Sequence, residues 1–304
     1  MKLATTTYDF EKYCRSYLEK VQHVCEAGFR YIDLGLVGAM PDPELTENDH
    51  WMETVDTLKR CADQYGAEFV QAHSPGAENP LAGPEAFEQA VRRNVRAIEI
   101  CSALNIPNLV IHAGSLRGAT KGEWFDKNRD FFRALIPAME KYNVNVLHEN
   151  TTTLNTPHYY VSTGEEMRGF AKYVDHPLFH ACWDVGHANL QGSQYQQIMD
   201  VGDELYAVHI HDNNGVQDLH QLPFMGCINM DEIMHALIDV GFKGPFTLEC
   251  DTVFRASVYW QGHRRVFPED NRLAEPPLKM QDAAEKLAYV TGKYILDAYG
   301  LFEE

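Results

Sequence analysis

The sequence contains no run of about 18 apolar residues, so no transmembrane helix is expected. Its start, Met1-Lys2-Leu3-Ala4-Thr5-Thr6-Thr7-Tyr8, lacks the apolar core of a secretory signal, which leads to the expectation of a cytoplasmic protein. There is no Cys-x-x-Cys pair, and the seven cysteines are odd in number and scattered. That pattern fits free thiols in a reducing compartment and excludes a disulfide framework or a zinc ribbon. Basic residues are few: 26 Lys and Arg against 44 Asp and Glu give 26 − 44 = −18 with His neutral. Such a chain lacks the basic footprint that a phosphate backbone requires, so neither nucleic acid nor a membrane is an expected partner. A small phosphorylated substrate stays open, because one or two local basic groups would hold it. No low-complexity stretch or linker divides the chain. No Gly-x-Gly-x-x-Gly follows the first apolar run, where Tyr8-Asp9-Phe10-Glu11 stands instead, which counts against a dinucleotide-binding open sheet.

What the sequence does have is alternation. Eight short β-rich runs lie at 3–8, 31–37, 68–73, 108–112, 144–149, 179–185, 205–211 and 245–250. Helical patterns at 10–27, 50–65, 84–104, 123–142, 164–174, 193–201, 230–240 and 281–299 separate and close them. Gly28, Gly66, Gly202, Gly241 and Gly300 stand just after helical runs, as stop signals should. Strict alternation implies parallel strands joined by right-handed crossovers. Eight such units predict a (β/α)8 TIM barrel, a single α/β domain over 1–304, and the 304 residues suffice for a fold that takes roughly 250. One long irregular stretch, 252–280, falls between strand 8 and the final helix. It is expected to act as a lid or as a contact in a homo-oligomer.

In a barrel, chemistry sits at the C-terminal strand ends. Strands 3 to 8 finish at His73, His112, Glu149, Asp184 (with His187 just beyond), His209-Ile210-His211-Asp212 and Glu249. Counting by twos along each strand places these residues in one inward phase, over Gln71, Val110, Leu147, Cys182 and Ala207. Six imidazole or carboxylate groups in one barrel mouth would repel and desolvate one another without a cation. No Lys or Arg occupies the ends of strands 3 to 8 to serve as that cation. A divalent metal is the simplest partner, and mixed Asp, Glu and His ligation suits Mn, Zn, Co or Fe.

These residues carry a resemblance. Val110-Ile111-His112-Ala113-Gly114, His148-Glu149-Asn150, Trp183-Asp184-Val185-Gly186-His187, His209-Ile210-His211-Asp212-Asn213 and Leu248-Glu249 resemble the xylose-isomerase-like superfamily, over nearly the whole chain. That superfamily holds sugar and sugar-phosphate isomerases and epimerases together with endonuclease IV. The resemblance implies that Glu149, Asp184, His209 and Glu249 hold one divalent metal, with Glu149 and Glu249 also serving as acid and base and His187 contacting substrate oxygens. The endonuclease IV likeness adds His73, His112, His187 and the Asp218-Leu219-His220 pair, enough donors for up to three ions.

The expected activity is therefore a metal-dependent isomerase or epimerase of a small sugar, sugar phosphate or keto-polyol. Proton transfer would pass through a cis-enediolate between two metal-bound glutamates. The alternatives are an abasic-site nuclease that uses zinc and a dehydratase of a keto-inositol. His211 is expected to reach substrate or an additional metal, or else to support a ligand, and Asp212 to orient a ligand histidine. His148 and Trp183 should point outward and pack. Tyr8 and Asp33 are candidate pocket residues. Arg264 and Arg265 are candidate contacts for a phosphate or carboxylate.

Overall fold

In a computed structural model, which describes residues 1–36, 45, 48–76, 79–152, 158–250, 253 and 276–304, the eight expected strands close into a barrel. They are β1 (Leu3–Thr6), β2 (Tyr31–Gly35), β3 (Glu68–His73), β4 (Asn108–Ile111), β5 (Asn145–Glu149), β6 (Phe179–Asp184), β7 (Leu205–Ile210) and β8 (Phe246–Leu248). Every neighbouring pair is parallel, and β8 returns to pair with β1. Around them lie α1 (Tyr17–Ala27), α2 (Trp51–Tyr65), α3 (Pro84–Ala103), α4 (Lys121–Tyr142), α5 (Gly164–Val174), α6 (Val185–Asn189), α7 (Tyr195–Val201), α8 (Met230–Asp239) and α9 (Leu278–Ala298). This is a (β/α)8 barrel. Among the described residues, no helix is long and apolar enough to cross a membrane.

Local chemistry sets the boundaries. β1 is shorter than expected because the Thr6 hydroxyl accepts the Tyr8 N–H and starts a 3₁₀ turn over Thr7–Phe10. Ser16 and Glu19 form a capping box that delays α1 to Tyr17, and Thr120 with Glu123 does the same at α4. The five glycines expected to stop helices all take positive φ, from 59° to 121°, where a side chain is disfavoured. The short α6 was not expected. Asp184 caps it by accepting the His187 N–H at 2.6 Å, so a strand-end carboxylate is also a helix N-cap. α9 starts at Leu278, inside the stretch expected to be loop. Most of the 252–280 stretch, with Arg264 and Arg265, lies outside the described residues.

Inside the barrel, Val110, Leu147, Cys182 and Ala207 form their own apolar cluster beneath the mouth. They belong to the inward phase read from the sequence, so the residues one step further along β4 to β7 rise to the rim. The opposite faces pack under the helices in the main core. His148 is buried there, stacked on Phe179 at 5.2 Å and edge-on to Phe170, which is a packing role. Trp183 is buried as well, its indole N–H donating to Gln194.

Candidate metal centre and active site

Register brings the rim residues of β5, β6 and β7 side by side: Glu149 pairs with Cys182, and Asp184 with His209. Glu249 follows the last residue of β8, its N–H held by the Ile210 carbonyl at 3.1 Å. As a result Glu149, Asp184, His209 and Glu249 each offer one donor atom within 4.8 Å of the others. His209 Nδ1 stands 3.1 Å from Glu149 Oε1, 3.3 Å from Glu249 Oε2 and 4.0 Å from Asp184 Oδ2. Three carboxylates therefore converge on one imidazole nitrogen. This is the donor set read from the strand ends, and its three oxygens and one nitrogen suit a divalent transition metal.

Two further groups flank it. His73 Nε2 and His112 Nε2 lie 3.2 and 3.3 Å from Glu149 Oε2. On the other side, His187 Nε2 and His220 Nε2 lie 3.2 and 3.3 Å from Asp218 Oδ2. Both trios have donor atoms close enough together to hold an ion, with Glu149 shared between the first trio and the central set. The structure thus gathers all nine residues that the sequence offered for up to three ions.

Electrostatics agree with a cation site. Burial alone would raise the Glu149 carboxyl, yet the charges of His112 and His209, with hydrogen bonds from His209 and His73, hold it well below the usual range. Burial likewise opposes ionisation of Glu249, and His209 overcomes it. His187 is pushed up to about 10: burial works against its charge, but Asp184 and Asp218 outweigh it. The cavity above these groups holds about 480 Å³ and is lined by His73, His112, Glu149, His187, Asp218, His220 and Glu249 on one wall. Ser74, Asn79, Asn94, Ser115 and Thr151 line another part, and no Lys or Arg is among the described lining residues. Carboxylates this close, with imidazoles but no Lys or Arg among them in the described residues, fit a bound metal ion.

Several expected roles change. His211 is fully buried and reaches no substrate space. Its Nε2 donates to Asp184, 3.0 Å from both carboxylate oxygens, and its ring stacks on His220 at 3.9 Å. It packs beneath the candidate ligand Asp184, in line with the supporting role among its expectations, and with His220 and Glu249 it also forms one of the groups whose donor atoms lie close together. Asp212 orients no ligand histidine. Its two oxygens accept the backbone N–H groups of Asn213, Phe224, Gly226 and Ile228, which folds the loop that presents Asp218 and His220. A carboxylate meeting four N–H groups is pulled toward them and away from the rim. Asp33 does not line the cavity. It lies beneath His209 on β2, 1% exposed, and burial pushes its carboxyl up to about 6. Tyr8 lies off the strand, in the 3₁₀ turn beside Gly35, because β1 ends at Thr6.

Other residues of the site were not singled out from the sequence. Asn150 clasps the backbone of Asp184 from both sides: its Oδ1 accepts the Asp184 N–H at 2.7 Å and its Nδ2 donates to the Asp184 carbonyl at 3.0 Å. The Asn150 carbonyl accepts from His187 Nδ1 at 2.9 Å. Gly186 leaves room for His211, since a Cβ there would stand 1.8 Å from the imidazole. Gln71 bridges Asp33 and His209 below the rim. The only signal available for these was adjacency to a ligand or the inward phase of β3.

Residues 21–269 match the family described as Xylose isomerase-like TIM barrel. The D-psicose 3-epimerase of Ruminiclostridium cellulolyticum is 24% identical over 254 residues, covering 79% of both chains. A solved structure of the IOLI protein with a binding zinc atom superposes with a TM-score of 0.74 at 19% identity, covering 100% of each chain. An AP endonuclease, family 2, from Brucella melitensis superposes with a TM-score of 0.65 at 20% identity, covering 87% of this chain and 99% of that one. At such identities the structural likenesses speak for the fold.

Proposed function

The chain belongs to the xylose isomerase-like TIM barrel family, and within it we propose a divalent-metal-dependent isomerase or epimerase of a small sugar, sugar phosphate or keto-polyol. The observation that carries this reading is the convergence of Glu149, Asp184, His209 and Glu249 at the ends of β5 to β8. These four residues would hold one ion. A bound divalent ion supplies Lewis-acid polarisation of a substrate carbonyl, which acidifies the neighbouring C–H. Glu149, kept ionised despite burial, is the base that takes that proton. Glu249, entering the step in its protonated form, gives that proton to the opposite face of the same carbon, or to its neighbour, and Glu149 is left carrying the proton it took. The first outcome is epimerisation and the second isomerisation, both through a cis-enediolate. His187 is placed to support a substrate oxygen; its Nε2 meets Asp218 at the cavity wall. Uncharged side chains in the cavity lining, such as Asn79, Asn94 and Ser115, suit hydroxyl groups. The relative that acts on D-psicose supports a ketose as substrate class. We read the protein as cytoplasmic, with a small molecule and no nucleic acid as its partner.

The test is an NMR screen of the metal-replete protein in D2O against ketoses, sugar phosphates and inosose. Deuterium should enter at the carbon beside the carbonyl, and a Glu149→Gln variant that folds and holds metal should lose that exchange. Full turnover in that variant would contradict the assignment. Loss of water from inosose would place the protein among dehydratases instead.

A second reading rests on the two flanking trios, His73, His112 and Glu149 on one side and His187, Asp218 and His220 on the other. With ions in all three positions the mouth resembles that of a zinc nuclease. Incision of abasic DNA by zinc-loaded protein is the result that would favour it.

A further inference from the structure

His209 is fully buried, and its two ring nitrogens face different groups. Nδ1 looks up at the three carboxylates. Nε2 looks down into the barrel, 2.8 Å from Gln71 Nε2 and 3.8 Å from Asp33 Oδ2. Gln71 in turn donates to Asp33 Oδ2 at 3.0 Å. The two residues pair across β2 and β3, where the register shifts by one between Ile32 and Asp33. Neither borders the cavity, so neither meets substrate. Inward positions on β4 to β7 at a comparable depth are Val110, Leu147, Cys182 and Ala207. An amide and a carboxyl in that company are costly, more so because Gln71 Oε1 and Asp33 Oδ1 have no hydrogen-bond partner among the described residues. The candidate metal ligand that Gln71 meets directly is His209.

We propose that Gln71 and Asp33 are positioning residues that grip the inner nitrogen of His209, Nε2, and thereby aim its Nδ1 at Glu149, Asp184 and Glu249. Asp33 anchors the amide, and the amide meets the ring. A metal-ligating histidine is generally oriented by a hydrogen bond to its second nitrogen, and loss of that partner typically lowers metal affinity about 10–100-fold. Glutamine suits the task because its head carries both a donor and an acceptor. Turning the amide by half a turn gives up the donation to Asp33 and lets Oε1 accept both from a protonated Nε2, as ligation through Nδ1 requires, and from Asp33 in its carboxylic-acid form. The inference rests on the reading of His209 as a metal ligand.

The test uses zinc alone, without sugar. Gln71→Met keeps the length of the side chain and removes the hydrogen bond. It should keep the fold, lose zinc affinity about 10–100-fold, and replace a single His209 tautomer by a mixture in long-range ¹H–¹⁵N spectra. Unchanged zinc affinity together with an unchanged His209 pattern would overturn the proposal. The wild-type spectrum serves if that variant fails to fold: zinc-loaded protein should show His209 ligated through Nδ1 and protonated at Nε2, and ligation through Nε2 would also overturn it. His209→Asn separates the two layers of the argument. If it binds zinc as the wild type does, the ligand reading fails. If it loses zinc while Gln71→Met does not, only the positioning role fails.

Discussion

Glu149 and Glu285 are equally buried, each 1% exposed, and the barrel treats them in opposite ways. Glu149 sits at the end of β5 among His73, His112 and His209, and these hold it ionised against the cost of burial. Glu285 lies on α9 against the turn that follows β1, with Asp9, Thr5 and Asp282 as its polar neighbours. Burial, assisted by the charge of Asp282, pushes it up to about 7, although hydrogen bonds with Asp9 and Thr5 pull the other way. Burial thus raises a carboxyl that lacks positive partners, as at Glu285, and histidines reverse that effect at Glu149. The mouth is built to supply them, and a carboxylate kept charged there can serve as a metal ligand or as a base.

The comparison breaks most visibly at Glu149. Glu149→Gln should fold, keep its metal when the protein is metal-replete and lower turnover about 10²–10⁴-fold, as read by metal analysis and by kinetics on a substrate from the NMR screen. Asp212→Ala should come next in effect. It leaves four backbone N–H groups without their acceptor, at about 1–3 kcal/mol for each that stays buried. Hydrogen exchange should speed up across 213–228 while the amides of β5 stay protected. Gly186→Ala pushes a methyl group into the His211 ring and should cost about 1–3 kcal/mol. Thermal melts would show it, together with weaker metal binding through the displaced Asp184. Glu285→Gln has the smallest effect, and it depends on pH. Because the folded carboxyl is raised from 4.5 to about 7, the native state binds the extra proton. The stability this confers is complete below pH 4.5 and is lost as pH rises through 7. Melting temperature should fall over that window in the wild type and stay flatter in the variant.

The barrel and its rim were legible in the sequence for one reason: a period-two strand that ends in His, Asp or Glu marks itself without help from its neighbours. His73, His112, Glu149, Asp184, His209 and Glu249 all came together as their strand ends implied. The unseen parts depend on contacts between distant residues. α6 has five residues, too few for a helical period, and is started by an Asp that already had a role. Asp212 looked like a partner for a histidine until its oxygens proved to hold N–H groups as far as sixteen positions ahead. Asp33 was a candidate for the pocket wall by its place on the second strand. It does point inward, but stops below the rim, where Gln71 and His209 cover it. His211 has the same phase as His209, and only the missing Cβ of Gly186 explains why it packs under Asp184 instead of reaching the cavity.

In the proposed site Glu149, Asp184, His209 and Glu249 hold one catalytic ion and the flanking histidines are secondary. Metal content per chain, measured on the purified protein and on Asp184→Asn and His220→Ala, tests it directly. One tightly bound divalent ion, lost in Asp184→Asn and kept in His220→Ala, is the predicted result. Three ions per chain, or an ion that leaves with His220 and stays without Asp184, would contradict it.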